Sequence, residues 1–311
     1  FTGSLAITTT SGPGLSLKTE AIGLAVMMEL PLVIVDVQRA GPSTGLPTKT
    51  EQGDLMQALF GRNGESPCIV IAASTPANCF DYAFMAAKLA VEHMTPVILL
   101  TDGYIANGSQ PWKVKKMEEL PFIKPRKVSE KNGKYTPFVR DEESLARSWV
   151  TPGQKDMMYR IGGLEKDIVT GAASHDSENH QKMVKIREEK VQRVANYIPE
   201  LKVVGDNEGD LLVVGWGSTQ GHLLSVVESM RKQGYKVSLA QFNYIKPLPK
   251  NTADIFKGFK KIVVCEINLG QFASYLRMTL QQFTYLQYNK IQGLPFTEEE
   301  LNKHFLTLLE A

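Results

Sequence analysis

Two β-rich runs flank one amphipathic stretch in residues 5–37, LAITTTSGPGLSLKTEAIGLAVMMELPLVIVDV. The first run, Leu5–Thr10, ends in the turn residues SGPG, and the second run is Leu32–Val37. Between them, Leu15–Glu29 has the periodicity of a single helix. The apolar face of that helix is predicted to comprise Leu17, Ala21, Leu24, Ala25 and Met28. A strand–helix–strand unit of this kind connects parallel strands.

The same alternation continues through the first hundred residues. A helix is predicted near Glu51–Leu59, a third strand at Cys68–Ala73 and a fourth strand at Pro96–Thr101. A long helix is predicted at Pro76–His93, with Pro76 in its first turn, where proline is well tolerated. Apolar strands separated by helices indicate an α/β fold, with a parallel sheet covered by helices on both faces.

The remainder of the chain divides into an irregular excursion and a second α/β unit. Residues 103–180 lack periodicity, which is typical of functional or interdomain segments. A charged helix at Glu178–Tyr197 then leads into the second unit. Its predicted elements are strands Leu211–Trp216, Val237–Phe242 and Ile262–Glu266, and helices Gly221–Gln233, Gln271–Phe283 and Pro295–Leu309. We expect one domain over residues 1–195 and a smaller one over residues 196–311.

Thr297 and Glu300 are spaced as a capping box, with Thr297 as the N-cap of the last helix. Phe1 is followed at once by a strand-like run, without a signal peptide. We therefore expect the natural N-terminus to lie upstream of Phe1.

Composition and charge exclude several classes of protein. The 311 residues are 43% hydrophobic and 22% charged, with a formal net charge of +2, as in a globular protein with a sizeable core. The basic clusters Lys113–Lys116 and Lys124–Lys127 are narrower than a nucleic-acid-binding face and are interpreted as surface loop. No apolar run reaches the ~18 residues of a membrane span.

Cysteine usage points to a reducing, cytoplasmic setting. Cys68, Cys79 and Cys265 are far apart in apolar contexts and lack metal-ligand spacing. We therefore expect neither an iron–sulfur cluster nor another metal site to be held by this chain alone.

Three polar loops follow predicted strands, where open parallel sheets bind ligands. The first loop is Ser11, Gly12, Pro13 and Gly14, which places backbone amides at a helix N-terminus, where anions or cofactor edges bind. These glycines also suit a simple tight turn, and both interpretations remain open. The third loop is TDGYIANGS, residues 101–109.

The second loop, QRAGPSTGLPT at residues 38–48, has the richest chemistry. Arg39 offers a planar fork of donors for a carboxylate or phosphate. Three hydroxyls accompany it: Ser43, Thr44 and Thr48. The competing interpretation is an ion pair between Arg39 and Asp36 or Glu51 that only fastens the loop.

Two further patterns favour structural interpretations. His175 and His180, with acidic residues between them, suggest a metal site, but a solvated loop running into a helix explains them better. GWGSTQG at residues 215–221 follows a strand as a phosphate loop would, yet lacks the lysine or the glycine spacing of such loops. We interpret it as a packing turn.

Several blocks resemble the α subunit of 2-oxoacid:ferredoxin oxidoreductases, most closely the enzymes that act on 2-oxoglutarate. The most specific block is TTTSGPGLSLKTEAIGLAVMMELPLVIVDVQRAGPSTGLPTKTEQGDL, residues 8–55. The others are LFGRNGESP (59–67), TPVILLTDGYIANGSQPW (95–112), CEINLGQ (265–271) and NKIQGLPF (289–296). Together they span essentially the whole chain in order.

The resemblance implies a thiamine diphosphate enzyme that oxidatively decarboxylates a 2-oxoacid with coenzyme A, giving acyl-CoA, CO2 and reduced ferredoxin. It implies a pyrimidine-binding domain followed by a transketolase C-terminal-like domain. A partner β subunit would hold the Mg2+, the cofactor's diphosphate and an iron–sulfur cluster. The thiamine site would be shared between the subunits, in a dimer of heterodimers.

The resemblance also assigns roles to individual residues. Arg39 matches the family's substrate-carboxylate arginine, and Thr48 matches a threonine of the same pocket. The family's catalytic glutamate would lie before Phe1, and Glu20 does not replace it, so no catalytic residue is expected here. Lys166 stands where relatives have histidine, and no function is assigned to it. Two alternatives remain: a binding module that is inert without its partner, and a non-redox thiamine diphosphate decarboxylase or synthase.

Overall fold

The computed structural model describes residues 1–128 and 136–310. The strands are β1 Ala6–Thr10, β2 Leu32–Gln38, β3 Ile69–Ala72, β4 Pro96–Asp102, β5 Val203–Val204, β6 Gly209–Trp216, β7 Val237–Phe242, β8 Tyr244–Lys246, β9 Phe259–Glu266 and β10 Leu286–Asn289. The helices are α1 Gly12–Leu17, α2 Thr19–Met28, α3 Leu55–Phe60, α4 Cys79–His93, α5 Gly103–Asn107, α6 Ser177–Arg193, α7 Gln220–Lys232, α8 Thr252–Lys257, α9 Gln271–Thr279 and α10 Glu298–Glu310. None of these helices is long and apolar enough to cross a membrane.

The first sheet has the order β1-β2-β4-β3-β8. Its first four strands are parallel, whereas β8 pairs antiparallel with β3. The predicted parallel sheet is confirmed for these four strands, and the antiparallel edge strand β8 was not predicted. Asn243 fixes the junction, because its amide Nδ2 donates to Ala72 O at 2.8 Å while its own carbonyl accepts from Ala72 N at 2.7 Å. A strand from the later part of the chain thus completes the first sheet, and the domain boundary at residues 195/196 stays a prediction.

The second sheet has the order β10-β9-β6-β7-β5, with the short β5 antiparallel to β7. Helices α7 and α10 cover one face, where Leu223 and Val226 share a core with Leu301 and Phe305. The predicted capping box of α10 is confirmed: Glu300 N donates to Thr297 Oγ1 at 3.3 Å, and Thr297 N donates to Glu300 Oε1 at 2.8 Å.

One continuous hydrophobic core joins the two sheets. Ile34 and Val70 of the first sheet belong to the same buried cluster as Val214 and Trp216 of the second and Phe272 of α9. This packing brings loops from the carboxyl ends of both sheets together, since ligand-binding loops of parallel sheets lie at that edge.

The single helix predicted over Leu15–Glu29 is instead two helices that meet at Lys18. The predicted apolar face is wrong, because the buried residues Leu15, Ile22 and Val26 lie on the opposite side of the stretch. Leu17 is 81% exposed, whereas Ile22 and Val26 are buried in the core. Apolar residues occur on both sides of this stretch, so hydrophobic periodicity alone did not decide which side is buried.

Pro76 lies outside α4, which begins at Cys79, so its predicted place in the first turn was wrong. The side-chain oxygen of Asn78 accepts hydrogen bonds from Ser74 N at 3.1 Å and Thr75 N at 3.0 Å. These bonds fold the chain into a turn ahead of the helix, as asparagine commonly does.

Among its described residues, the excursion at residues 103–180 contains α5, a 3₁₀ turn and the first residues of α6, and residues 129–135 lie outside the described ones. A buried ion cluster, formed by Glu29, Arg140 and Lys190, fastens the excursion to the first unit. Arg140 Nη1 donates to Glu29 Oε2 at 2.6 Å, Arg140 Nη2 pairs with Glu29 Oε1, and Lys190 Nζ donates to Glu29 Oε2 at 2.6 Å. Segments far apart in sequence are thereby held by one carboxylate.

Candidate substrate site

Arg39 follows directly after β2 and lines a cavity of about 730 Å³ together with Gly12, Pro13, Ser43 and Asp54. None of the ion pairs among the described residues includes Arg39. Its Nε atom is buried without a hydrogen-bond partner. An arginine with unused donors in a cavity is suited to bind an anionic ligand.

The alternative in which Arg39 pairs with Asp36 or Glu51 is not observed. Both carboxylate oxygens of Asp36 are buried without a hydrogen-bond partner in the described structure. Glu51 instead faces the backbone amides of Gly41 and Gly293. The loop is therefore held in place without using the guanidinium.

Backbone bonds close the loop after Arg39. Ala40 N donates to Lys49 O at 2.9 Å, and Leu46 N donates to Ala40 O at 3.0 Å. Gly45 has a φ of +53°, and a Cβ there would lie 1.9 Å from Ala40 O, so only glycine fits this turn. The loop is thus a compact, locally determined element that presents Arg39 at its base.

The predicted hydroxyls of this loop separate in space. Ser43 lines the Arg39 cavity, whereas Thr44 is exposed and outside its lining. Thr48 lines a neighbouring cavity of about 680 Å³ with Tyr104 and Ser218, at the end of the third predicted loop. The roles of Thr44 and Thr48 in substrate binding stay predictions.

The SGPG turn places Gly12 and Pro13 in the cavity, while Ser11 and Gly14 lie outside its lining. A Cβ on Gly12 would lie 2.5 Å from Asp54 Oδ1, so the turn needs glycine to approach this carboxylate. Because a carboxylate faces the start of α1, the turn suits a neutral or cationic edge of a ligand better than an anion.

Two buried carboxyl groups, Asp36 and Asp54, lie close enough to interact with each other. Burial raises the pKa of Asp36 to about 8, with a further contribution from Asp54. Burial also raises the pKa of Asp54 to about 6, although Arg39 opposes the shift. Closely placed carboxyl groups in a dry site resist double ionisation.

Residues of the second unit complete the cavity, and sequence reasoning assigned them no role. Asn268, Leu269 and Gln271, from the CEINLGQ block, line it opposite Gly53 and Asp54. Gln271 Nε2 donates to Gly53 O at 2.7 Å, and Met56 N donates to Gln271 Oε1 at 2.9 Å. The sequence signal for these residues was the match of the CEINLGQ block to the family. Hydrophobic periodicity could not show which groups the side-chain amides of this block contact.

Glu266 stabilises the start of α9, the helix that contributes Gln271 to this wall. It is fully buried and accepts hydrogen bonds from Phe272 N at 2.7 Å, Ala273 N at 3.0 Å and Trp216 Nε1 at 3.1 Å. Burial raises its pKa, and these bonds oppose the shift. Its bonds to the first amides of α9 fix the start of that helix.

The remaining polar patterns have structural partners. Asp176 caps α6 by accepting from Asn179 N at 2.6 Å, and His180 Nδ1 lies 2.7 Å from Glu165 Oε2. No group of three or more potential ligands that could hold a metal ion is found among the described residues. In the GWGSTQG turn, Trp216 O accepts from Thr219 Oγ1 at 2.8 Å, which agrees with a packing turn.

Comparison with known proteins gives two family matches. Residues 1–186 match the family described as pyruvate flavodoxin/ferredoxin oxidoreductase, thiamine diphosphate-binding. Residues 209–300 match pyruvate:ferredoxin oxidoreductase core domain II. The first match alone covers more than half of the chain.

Individual relatives agree with these matches. The 2-oxoglutarate oxidoreductase subunit KorA of Mycobacterium tuberculosis is 45% identical over 97% of this chain and 46% of its own length. A solved 2-oxoglutarate:ferredoxin oxidoreductase from Magnetococcus marinus, with 2-oxoglutarate, coenzyme A and succinyl-CoA bound, is 32% identical with a TM-score of 0.91. It is matched over 99% of this chain and 54% of that one.

A split-gene transketolase is 11% identical with a TM-score of 0.50, over 98% of this chain and 75% of that one, and supports the fold alone. The predicted fold class, an α/β thiamine diphosphate enzyme with two successive units, is confirmed by the two family matches, and the likeness to transketolase agrees with it. The chain spans about half the length of the first curated relatives it matches.

Proposed function

Because the chain belongs to the α subunits of 2-oxoacid:ferredoxin oxidoreductases, we propose that it binds the 2-oxoacid in a 2-oxoglutarate:ferredoxin oxidoreductase. The overall reaction is oxidative decarboxylation of 2-oxoglutarate with coenzyme A to an acyl-CoA, CO2 and reduced ferredoxin. The observation that carries the proposal is Arg39, which faces a cavity with its donors unpaired by any described carboxylate.

Arg39 binds the carboxylate that leaves as CO2. Its planar fork contacts both carboxylate oxygens and so fixes the orientation of the adjacent carbonyl carbon. Ser43 lies in the same lining and adds a hydroxyl contact. Orientation of this kind lowers the barrier, because the reacting atoms no longer have to find each other in solution.

The carboxyl groups near Arg39 set the charge of the cavity. With its pKa at about 8, Asp36 is largely protonated at neutral pH. Asp54, with a pKa of about 6, is mostly ionised there and offsets part of the charge on Arg39. The cavity therefore accepts a carboxylate without collecting a large excess of negative charge.

Thiamine diphosphate, when bound, supplies the electron sink for decarboxylation. Its fit is supported by the approach of Gly12 to Asp54, which leaves the SGPG turn open to a neutral or cationic ring edge. Gly12 and Pro13 would contact the cofactor from this chain. The Mg2+, the diphosphate group and the iron–sulfur cluster are assigned to the partner β subunit.

The apolar side chains at the mouth of the cavity are evidence for a partner subunit. Leu17 is 81% exposed and Leu269 is 80% exposed, and Ile291 lies beside them in the same lining. Large exposed apolar side chains around a polar cavity are typical of a surface that another protein covers. We assign this rim to the β subunit, within a cytoplasmic dimer of heterodimers that uses ferredoxin and coenzyme A.

Reconstitution tests this function. Full-length α and β subunits, separately and together, are assayed with thiamine diphosphate, Mg2+, 2-oxoglutarate, coenzyme A and an artificial electron acceptor. We expect turnover only in the combined sample. Turnover by this chain alone would contradict the shared site, and turnover without an electron acceptor would favour a non-redox enzyme.

Substrate choice requires a parallel series with pyruvate and branched 2-oxoacids. Arg39 is the one cation among the described residues that line its cavity. A second anchor for the distal carboxylate of 2-oxoglutarate must then come from outside this described lining. We expect 2-oxoglutarate to have the highest kcat/KM, and a clear preference for pyruvate would contradict the assignment.

A further inference from the structure

Gln52 connects the Arg39 loop to the second sheet through both its side chain and its backbone. Its side chain is fully buried: Nε2 donates to Trp216 O at 2.7 Å, and Oε1 accepts from Ile267 N at 3.1 Å. Its backbone N donates to Ile267 O at 3.1 Å, and its carbonyl accepts from Asn268 Nδ2 at 2.8 Å. Four hydrogen bonds thus join this residue to the ends of β6 and β9.

The residues on either side of Gln52 form the wall of the substrate cavity. Glu51, Gly53 and Asp54 all line it. Asp54 N donates to Gln38 Oε1 at 3.0 Å, and Gln38 immediately precedes Arg39. A path of backbone and hydrogen bonds therefore runs from the second sheet through Gln52, Asp54 and Gln38 to the residue that carries the guanidinium.

Gln52 does not itself line the cavity. Its side-chain nitrogen and oxygen each have a partner within the protein, Trp216 O and Ile267 N. Any effect on the reaction must then act through the placement of the cavity wall and of Arg39. Small displacements of a binding group have large kinetic effects, on the order of 100-fold for about 1 Å.

We propose that Gln52 is a positioning residue for 2-oxoacid binding, which couples the second sheet to Arg39. This inference rests on the proposed function of Arg39. It gives the second unit a part in forming the substrate site.

Asn251 provides a matched control. Its side chain also makes a pair of hydrogen bonds to one backbone segment: Nδ2 donates to Leu201 O at 2.9 Å, and Oδ1 accepts from Leu201 N at 2.9 Å. Asn251 precedes α8 and lines neither the Arg39 cavity nor the neighbouring one. Asn251→Leu therefore removes similar bonds from the fold without touching the site.

The test is steady-state kinetics of the assembled full-length enzyme with Gln52→Leu, Asn251→Leu, Arg39→Ala and each double variant with Arg39→Ala. We expect Gln52→Leu to raise the KM for the 2-oxoacid roughly 10- to 100-fold, with a much smaller change in the KM for coenzyme A. Asn251→Leu should lower Tm by a comparable amount and leave both KM values within about twofold.

The double variants separate positioning from general destabilisation. If Gln52 acts through Arg39, Gln52→Leu adds less than about threefold in the Arg39→Ala background, because residues that act as a unit are non-additive. A full additional loss in that background, or equal KM effects of Gln52→Leu and Asn251→Leu, would overturn the proposal. Normal kinetics of Arg39→Ala would instead refute the proposed function itself, so the two failures are distinguishable.

Gln52→Glu covers the case in which Gln52→Leu does not fold. It keeps the size of the side chain and the acceptor for Ile267 N, but it loses the donor to Trp216 O. An elevated KM for the 2-oxoacid supports the proposal, and an unchanged KM contradicts it.

Discussion

Arg39 and Arg140 lie near carboxylates in the same chain, yet their surroundings differ. Arg140 is almost fully buried and uses two nitrogens on Glu29, which Lys190 also contacts. Arg39 is half-buried, lines a cavity and takes part in no ion pair with a described residue. The donors of Arg140 are used within the fold, whereas the donors of Arg39 are available to a ligand.

The partners of an arginine distinguish a structural role from a ligand-binding role better than its residue type does. Burial raises the pKa of Glu29, but Lys190 and Arg140 outweigh burial and hold that pKa below its usual range. Beside Arg39, burial wins instead, and the pKa of Asp54 rises to about 6. The charges of the Glu29 cluster thus have their partners within the protein. Arg39 lacks such a partner, and the substrate carboxylate would supply it.

The largest effect is expected for Arg140→Ala. Arg140→Ala removes two hydrogen bonds to the buried, charged Glu29, which keeps only Lys190 as a partner. At about 1.5–3 kcal/mol for each such bond, the free energy of unfolding should fall by about 3–5 kcal/mol. Denaturant titration measures this loss, with Lys257→Ala as the control, because the Lys257–Asp254 pair is exposed and contributes little. A loss for Arg140→Ala as small as that of the control would contradict the contrast between the arginines.

Arg39→Lys comes next and tests geometry with the charge retained. Lysine cannot reproduce the two-point contact of the guanidinium, so kcat/KM for the 2-oxoacid should fall roughly 10- to 100-fold. The free energy of unfolding should not change, because no described ion pair is lost. Unchanged kcat/KM would show that a point charge is enough and that the fork is not used.

The fold was more predictable from sequence than the site. Buried strands such as Leu32–Gln38 can be predicted from sequence, because both faces of a parallel strand are covered and the strand is therefore a nearly continuous apolar run. The three residues of β8 are too few to show a period, and the break at Lys18 is invisible within a helical pattern.

Arg39 could be proposed from sequence because its chemistry is local to one loop, and its binding role stays a prediction. The connection of Gln52 to Trp216 spans 164 residues, and the bond from Ile267 spans 215. Only the packing of the two sheets brings these groups together, so no local pattern encodes them. The separation of Thr48 from the Arg39 cavity has the same cause, since it depends on which side of the loop each side chain faces.

Asp36→Asn tests the electrostatics of the Arg39 region through pH. The pKa of Asp36 is raised in the folded state to about 8. Its contribution to stability is therefore fully present below the unfolded pKa near 4 and is lost as pH rises through about 8. The free energy of unfolding of Asp36→Asn, relative to the parent chain, should improve between about pH 5 and pH 8.5.

The Glu29 cluster provides the opposite sign. Because the folded pKa of Glu29 is lowered, its contribution is present above the unfolded pKa and is lost on acidification below it. Glu29→Gln should therefore flatten the acid limb. Identical pH profiles for the two variants would contradict the assignment of these shifts.

Thr48→Ala should have the smallest effect. Its hydroxyl lines the neighbouring cavity with Tyr104 and Ser218, so we expect kcat/KM to fall by less than about 10-fold, the value of one lost neutral hydrogen bond. Steady-state assays of the assembled enzyme decide this. A loss as large as that of Arg39→Lys would place Thr48 in direct contact with substrate, which requires the loop to rearrange on binding.

The most direct test of the central claim is kcat/KM for 2-oxoglutarate in the assembled enzyme carrying Arg39→Ala, with Tm measured on the same sample. We predict a loss of about 2–4 kcal/mol in transition-state stabilisation, roughly 30- to 1000-fold, at an unchanged Tm. Near-normal kcat/KM would contradict a substrate-binding Arg39. A fall in Tm like that of Arg140→Ala would show that both arginines belong to the fold.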